Sequence, residues 1–225
     1  MLRSRRNRTR TTGRRSDVRS LALERLEQRL LLSSTPLFQD SGQSIGSSGS
    51  RNVELGDLDN DGDLDAMVAN DGGNAVFTND GSGAFTDMGV YMGSSRSDET
   101  ALGDLDGDGD LDAFVANTGG QGNRVWLNTG NGTFSDSGQS LGSGSSNAVA
   151  LGDIDADGDL DAFVANNGGG NTVYTNNGGG TFTAAQSPGS ASSHDIALGD
   201  VDNDGDLDAV VGNSGRNVLY VNNGS

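Results

Sequence analysis

One acidic unit recurs four times along the chain. The stretch GDLDNDGDLDAMVAN at 56–70 returns, with few changes, at 103–117, 152–166 and 199–213. Its first aspartates, at 57, 104, 153 and 200, are 47, 49 and 47 residues apart. A near-constant period of this length is typical of one supersecondary unit repeated in an array, in which each unit buries its apolar surface against its neighbours.

Each unit contains four short strand-like runs separated by Gly- and Asn-rich turns. The first run ends at the Gly-Asp pair and the second, such as DAFVAN, follows the aspartates. The third runs are Ala75–Thr78, Arg124–Leu127, Thr172–Thr175 and Val218–Val221, and the fourth are centred on Phe85, Phe134 and Phe182. With 37 glycines and two prolines, the composition favours turns over long helices. We therefore predict an all-β fold, a β-propeller of four-stranded antiparallel blades.

The segment before the first unit predicts how the array closes. Residues 36–50, PLFQDSGQSIGSSGS, repeat the fourth-strand text TFSDSGQSLGSGSS of 133–146, whereas the fourth unit ends as its own fourth strand should begin. The N-terminal segment can thus pair with the third strand of the last unit and close a ring of four blades, which protects the sheet edges. Two chains forming an eight-blade ring, or a fragment of a longer array, remain alternatives.

Charge separates residues 1–34, a basic leader, from residues 35–225, the predicted propeller. Residues 1–30 carry ten arginines and three acids, while the remainder carries four arginines and 29 acids. Such an acidic body repels nucleic acid and anionic lipid, so neither is an expected partner. The chain has no cysteine, which excludes disulfides and thiolate metal sites, and no run of apolar residues is long enough to span a bilayer.

The leader is Arg-rich and contains LALERLEQRLLLSS at 21–34, in which Leu23, Leu26 and Leu30 have helical spacing. It resembles the short N-terminal element of many predicted surface or secreted proteins of planctomycete-type bacteria, which implies export. A disordered basic leader is the plain alternative. We expect the protein to be secreted or on the cell surface.

Five aspartates in nine residues need a compensating cation, because neighbouring carboxylates repel one another. The pattern D-x-D-x-D-G-D-x-D suits Ca²⁺, which takes six to eight oxygen ligands; side chains at positions 1, 3, 5 and 9 and a backbone carbonyl at position 7 can converge, and Gly at position 6 permits the turn. The leucine at position 8 (64, 111, 160 and 207) is expected to pin the loop to the core. An EF-hand would need Glu at position 12, where all four units have Val.

These residues resemble the FG-GAP repeat, also described as the VCBS-type repeat, of integrin α-chain propellers and bacterial surface proteins. The resemblance covers 35–225 and implies about four Ca²⁺ ions, one per blade, although the family more often has seven blades. The implied metal ligands are Asp57, Asp59, Asp61, Asp63, Asp65, Asp104, Asp106, Asp108, Asp110, Asp112, Asp153, Asp155, Asp157, Asp159, Asp161, Asp200, Asp202, Asp204, Asp206 and Asp208.

No residue pattern predicts catalysis. The single histidine, His194, is expected in an exposed loop, and aspartates that hold calcium cannot act as acids or bases. Variable pairs precede the first strands and should meet at the mouth of the central channel: Arg51-Asn52, Ser97-Asp98, Ser146-Asn147 and His194-Asp195.

We expect a non-catalytic adhesion or recognition module that binds a protein or glycan on the propeller face and exists as a monomer or homodimer. The alternative is a lectin-like or enzyme-associated propeller scaffold. For that alternative, the third-strand aromatics Phe77, Trp126, Tyr174 and Tyr220 could stack on sugars, although blade packing is their plainer role.

Overall fold

A computed structural model describes residues 37–224. The fifteen strands of these described residues lie in the compact unit formed by residues 44–225. The predicted leader, residues 1–34, lies outside the described residues. None of the described residues belongs to a helix, so none forms an apolar helix of membrane-spanning length.

The first two blades are four-stranded antiparallel sheets in chain order. Blade 1 consists of β1 (Ser50–Gly56), β2 (Asp65–Asn70), β3 (Asn74–Asn79) and β4 (Phe85–Met92). Blade 2 consists of β5 (Ser97–Gly103), β6 (Asp112–Asn117), β7 (Arg124–Asn128) and β8 (Phe134–Asp136).

The last two blades repeat this order, but the described part of the fourth contains three strands. Blade 3 consists of β9 (Ser146–Gly152), β10 (Asp161–Asn166), β11 (Thr172–Asn176) and β12 (Phe182–Gln186). Blade 4 consists of β13 (Ser193–Gly199), β14 (Asp208–Asn213) and β15 (Val218–Tyr220). The all-β propeller-type architecture is therefore confirmed. The fourth strands begin at their phenylalanines and are not centred on them.

Register is the same in every blade because the acidic loop joins the first and second strands as a hairpin. Gly56 pairs with Asp65, and Gly103, Gly152 and Gly199 pair with the corresponding aspartates of their own blades. A register slip of one residue would exchange the two faces of each strand. The hairpin thus places four acidic loops at equivalent positions of the array.

The core lies between blades. Every residue of β2, β6 and β10 is buried, so these strands present apolar side chains on both faces. One cluster joins Met67 and Val76 of blade 1 to Val115 of blade 2, and another joins Phe114 of blade 2 to Val164 of blade 3. Neighbouring blades therefore stabilise each other, as a repeat array requires.

Ring closure is not seen in the described residues. The fourth sheet ends at β15 with no fourth strand beside it. Leu37 and Phe38, which belong to the segment predicted to supply that strand, are 99% and 94% exposed. Closure by the N-terminal strand therefore stays a prediction.

Candidate metal sites and channel mouth

The aspartate at position 9 of each loop is a buried structural centre. Asp65, Asp112, Asp161 and Asp208 are at most 1% exposed. In blade 2, Asp112 Oδ2 accepts a hydrogen bond from Leu105 N at 2.9 Å, and Oδ1 accepts one from Asn128 N at 2.7 Å. The other three blades repeat both bonds. One carboxylate thus joins the loop to the end of the third strand.

The asparagine at that strand end was not predicted to matter. Asn128 Nδ2 donates to Leu111 O at 3.2 Å in its own blade and to Leu58 O at 2.8 Å in the preceding blade. The sequence signal was present, because each repeat carries an Asn 14 to 16 residues after its position-9 aspartate, at 79, 128, 176 and 222. In blades 2, 3 and 4 this asparagine couples the acidic loop to the preceding blade.

The aspartate at position 1 shapes the turn of the loop. Asp57, Asp104, Asp153 and Asp200 each accept a hydrogen bond from the backbone N–H of the position-6 glycine, at 3.0 to 3.2 Å. Those glycines have φ between 93° and 99°, a conformation that side chains disfavour. The predicted role of glycine at position 6 is confirmed. Position 4 is also left-handed, even where it is Ala156.

Carboxylates converge in all four loops. In blades 1 and 2, one oxygen from each aspartate at positions 1, 3 and 5 lies within 4.8 Å of the others. In blades 3 and 4 the group is formed by positions 1, 3 and 9. Such sets contain only hard oxygen donors, which suit a divalent ion such as Ca²⁺. Each repeat therefore has a donor set that could hold a metal ion.

Burial and crowding oppose ionisation in these loops. Desolvation, followed by the charges of neighbouring aspartates, raises the pKa of Asp59, Asp106 and Asp202 above the ordinary range. Desolvation also raises the pKa of Asp155, and it raises that of Asp112 to about 6 despite its two backbone hydrogen bonds. A cation would favour the charged forms of these groups.

One oxygen in the third loop lacks a partner. Asp153 Oδ1 is buried and accepts no hydrogen bond, although Asp153 belongs to the cluster with Asp155 and Asp161. A buried, unpaired carboxylate oxygen is costly unless an ion or water satisfies it. This atom is an independent sign that the loop residues fit a cation.

Position 7 lies outside the carboxylate clusters. The side chains of Asp63, Asp110, Asp159 and Asp206 approach the glycine of the β3–β4 turn or its equivalent, where an added Cβ would collide with a carboxylate oxygen. Asp110 Oδ1 also accepts a hydrogen bond from Asn60 Nδ2 of the preceding loop at 2.7 Å. This placement agrees with a backbone carbonyl, and not a side chain, as the position-7 ligand.

The position-8 leucines of blades 2, 3 and 4 contact the preceding blade. Leu111 and Leu160 pack against the apolar clusters between blades 1 and 2 and between blades 2 and 3, as expected of residues that pin the loop. Leu64 does not fit this expectation, because it is 57% exposed. The described residues contain no blade ahead of blade 1 against which Leu64 could pack.

The predicted channel mouth brings residues of all four blades together in two pairs. Arg51 Nε lies 3.2 Å from Asp98 Oδ1, and Asn147 Nδ2 lies 3.4 Å from His194 Nδ1. A cavity of about 400 Å³ is lined by Arg51, Asp98 and Asn147 together with Asp71. A hydrogen bond from Arg51 lowers the pKa of Asp71.

Two expectations about the mouth were wrong. Ser97 and Ser146 are buried and donate to Asn117 and Asn166 of their own blades at 2.9 and 2.8 Å, so they hold strand ends together. His194 lies on β13 and not in a loop. It is exposed, as expected, and its Nε2 lies 2.6 Å from Ser214 Oγ.

The third-strand aromatics lie at blade junctions. Phe77 and Tyr174 are 4% exposed, and the Tyr174 and Phe114 rings are 6.3 Å apart. Trp126 is half-buried and lines a cavity of about 260 Å³ with Arg124 and other polar residues. Packing is therefore the main role of these rings, although Phe77 and Tyr220 also line cavities that contain polar residues.

Comparison with known proteins identifies the repeat. The model of the FG-GAP-like repeat matches residues 57–115, 104–164 and 153–211, which together span more than half of the chain. The chain belongs to the FG-GAP-like repeat family. No curated protein sequence matches significantly.

Solved structures to which this FG-GAP protein is similar include an Agrocybe aegerita lectin described as specifically recognising non-reducing terminal N-acetylglucosamine. It is 24% identical and matches with a TM-score of 0.49. The match covers 76% of this chain and 48% of the lectin, so this chain spans about half the length of that protein.

Proposed function

We propose that this FG-GAP protein is a non-catalytic recognition module, secreted or on the cell surface, whose four acidic hairpins each bind one Ca²⁺. The observation that carries the proposal is the convergence of three carboxylates within 4.8 Å in every blade. The raised pKa of the position-3 aspartates and the unpaired Asp153 Oδ1 support it, because both are relieved by a bound cation.

Calcium binding supplies stability in this proposal. An ion that binds only the folded state at 100 times its Kd contributes about 2.7 kcal/mol per site. For a domain of this size, 1 kcal/mol corresponds to a Tm change of about 2–4 °C, so each filled site raises the Tm by roughly 5–11 °C.

Calorimetric titration and thermal melting test the metal. We expect about four Ca²⁺ ions per chain, a Tm that falls on chelation and recovers with Ca²⁺, and weaker recovery with Mg²⁺, which prefers tight octahedral sites and retains its waters. Absence of binding at millimolar Ca²⁺, or a Tm unchanged by chelation, would show that the hairpins are acidic turns without a metal.

Recognition is assigned to the channel mouth. Arg51, Arg96, Asp71 and Asp98 form an ion-paired network there, with Arg nitrogens 2.7–3.4 Å from Asp oxygens. A rigid, polar surface with both charge signs suits a polar protein or glycan partner. Binding partners captured from an extracellular protein and glycan panel should be lost in Arg51→Glu, while Arg216→Glu, outside this network, should keep them.

Sugar binding at Trp126 is a second candidate function. The half-buried indole borders a polar cavity with Arg124 and Asp136, and aromatic faces beside hydrogen-bonding groups can stack on sugar rings. Oligosaccharide binding that is lost in Trp126→Ala, with the Ca²⁺ affinity retained, would support this site. Binding that survives the substitution would exclude it.

A further inference from the structure

The three junctions between blades share one close contact. The glycine that ends the first strand of a blade faces two leucines of the next: Gly56 faces Leu102 and Leu111, Gly103 faces Leu151 and Leu160, and Gly152 faces Leu198 and Leu207. A Cβ at these glycines would lie 2.6–2.7 Å from the nearer Leu Cδ1. A side chain at these glycines would require the facing leucine to shift.

A side-chain hydrogen bond accompanies each of these contacts. Asn128, Asn176 and Asn222 donate through Nδ2 to the backbone carbonyl at loop position 2 of the preceding blade, at 2.8, 2.8 and 2.7 Å. The bonded carbonyls belong to Leu58, Leu105 and Ile154. The junction is therefore a repeated interface with both an apolar and a polar component.

Blade 4 presents one half of this interface without its partner. A Cβ at Gly199 would meet no atom within 4 Å. Val201, Val210 and Leu219 are 48%, 44% and 49% exposed, whereas their equivalents Leu58, Met67 and Val76 in blade 1 are completely buried. This exposed apolar face has the composition of a blade junction.

Blade 1 presents the other half. Leu55 and Leu64, which correspond to the leucine pairs at the junctions, are 55% and 57% exposed. Asn79, the equivalent of Asn128, donates only within its own blade, to Leu64 O at 3.2 Å. The two exposed faces are complementary, because blade 4 has the glycine of the junction, and blade 1 has the two leucines and the asparagine that meet such a glycine face at the other junctions.

The segment ahead of blade 1 makes the same contact with a third-strand aromatic as the segments that follow the fourth strands. Gly93, Gly142 and Gly189, which follow the fourth strands, approach Trp126, Tyr174 and Tyr220 of the next blade, and Gly46 approaches Phe77 in the same way, with a Cβ-to-ring distance of 3.2 Å. Residues 37–45 directly precede Gly46 and match fourth-strand text. Phe38 is 94% exposed, whereas Phe134 and Phe182, its equivalents, are 7% and 5% exposed.

We propose that two copies of this chain associate head to tail, with blade 1 of one copy docked on blade 4 of the other. Residues 37–45 of the first copy add as the fourth strand beside β15 of the second, which buries Phe38. A second copy is favoured over closure within one chain because Gly199 and Leu64 belong to the same unit and do not meet there. Two identical junctions close a ring of two chains.

Paired cysteines test which copy supplies the contact. The chain has no native cysteine, so Gly199→Cys with Leu64→Cys can be joined by a short bifunctional thiol crosslinker. We expect covalent dimers on a denaturing gel, and for the control pair Gly152→Cys with Leu207→Cys we expect crosslinking within one chain. If the 199–64 pair crosslinks within one chain, or fails to crosslink while the control pair reacts, the proposal is wrong.

Sedimentation gives an independent readout at saturating Ca²⁺. We expect wild type at twice the 22.9 kDa of one chain, and Gly199→Val at the mass of one chain, because the valine fits the free blade but obstructs the docked one. Gly215→Val is the matched control, since a Cβ there also meets nothing within 4 Å, and it should remain dimeric. Phe38→Asp should also give single chains. A monomeric wild type, or a dimeric Gly199→Val, would overturn the proposal.

Discussion

Two sets of aspartates in the same acidic loop differ in how their carboxylates are stabilised. The position-9 aspartate is buried and accepts two backbone hydrogen bonds, so the fold itself satisfies it. In blades 1 and 2 the aspartates at positions 1, 3 and 5 lie nearer the surface and crowd one another, and desolvation with mutual repulsion raises the pKa of the position-3 aspartate. Under the proposed function, identical side chains thus have a structural role at position 9 and a cation-dependent role at the clustered positions near the surface.

The largest expected effect follows removal of the structural aspartate. Asp112→Ala leaves the N–H groups of Leu105 and Asn128 buried without acceptors, at a cost of about 1–3 kcal/mol each. We expect a loss of roughly 2–6 kcal/mol in urea unfolding, with Ca²⁺ or with chelator. Asp108→Ala, at the exposed position 5, is the control and should lose little in chelator. Equal losses for the two variants in chelator would refute the distinction.

A smaller loss of stability is expected when the crowded aspartate at position 3 is replaced. Asp106→Asn should abolish the binding of one of the four Ca²⁺ ions and lower the Tm measured in Ca²⁺ by roughly 5–11 °C. In chelator its Tm should equal or exceed that of wild type, because one repelling charge is gone. Asp110→Asn, at position 7, should retain the ion, since its side chain lies outside the cluster. Loss of the ion in both variants would contradict these assignments.

The smallest effect concerns a desolvated carboxylate away from the loops. Glu99 is half-buried, accepts a hydrogen bond from Val149 N at 3.1 Å and is near Asp195 and Glu54; burial raises its pKa to about 7 from 4.5. The folded protein therefore binds this proton more tightly than the unfolded chain, and stability decreases as pH rises from about 4.5 to 7.

Comparison with a neutral variant isolates this contribution. At saturating Ca²⁺, Glu99→Gln should reduce the decrease in unfolding free energy between pH 5 and 7, measured by urea denaturation. If the two proteins have parallel pH profiles, Glu99 does not contribute, and the pH dependence belongs to the aspartate loops.

Much of this structure was predictable from local pattern. The fourfold period predicted the blades, and Gly at position 6 predicted the left-handed turn conformation at residues 62, 109, 158 and 205. Convergence of the carboxylates at positions 1 and 3 was also expected, because a short hairpin loop holds near neighbours in the chain close together. These features depend on residues within about ten positions of one another.

Other features needed contacts between distant residues. The sequence pattern grouped the aspartate at position 9 with those at positions 1, 3 and 5 as a side-chain ligand, and only the structure shows that Asp112 is buried and accepts two backbone hydrogen bonds. The leucine at position 8 was expected to pin its loop to the core, but the pattern did not show that Leu111 would pack on Gly56 of the preceding blade or that Leu64 would be exposed. Sequence position alone cannot reveal whether a neighbouring blade is present.

The sequence by itself determined the repeat, its strands and the acidic hairpins, because those follow from local periodicity, turn chemistry and charge. Only the tertiary structure decided which carboxylates are buried, which side chains meet at the predicted channel mouth, and which blade faces are exposed among the described residues. The physical reason is that burial and desolvation depend on atoms from other repeats, and identical repeats acquire different environments according to their place in the array.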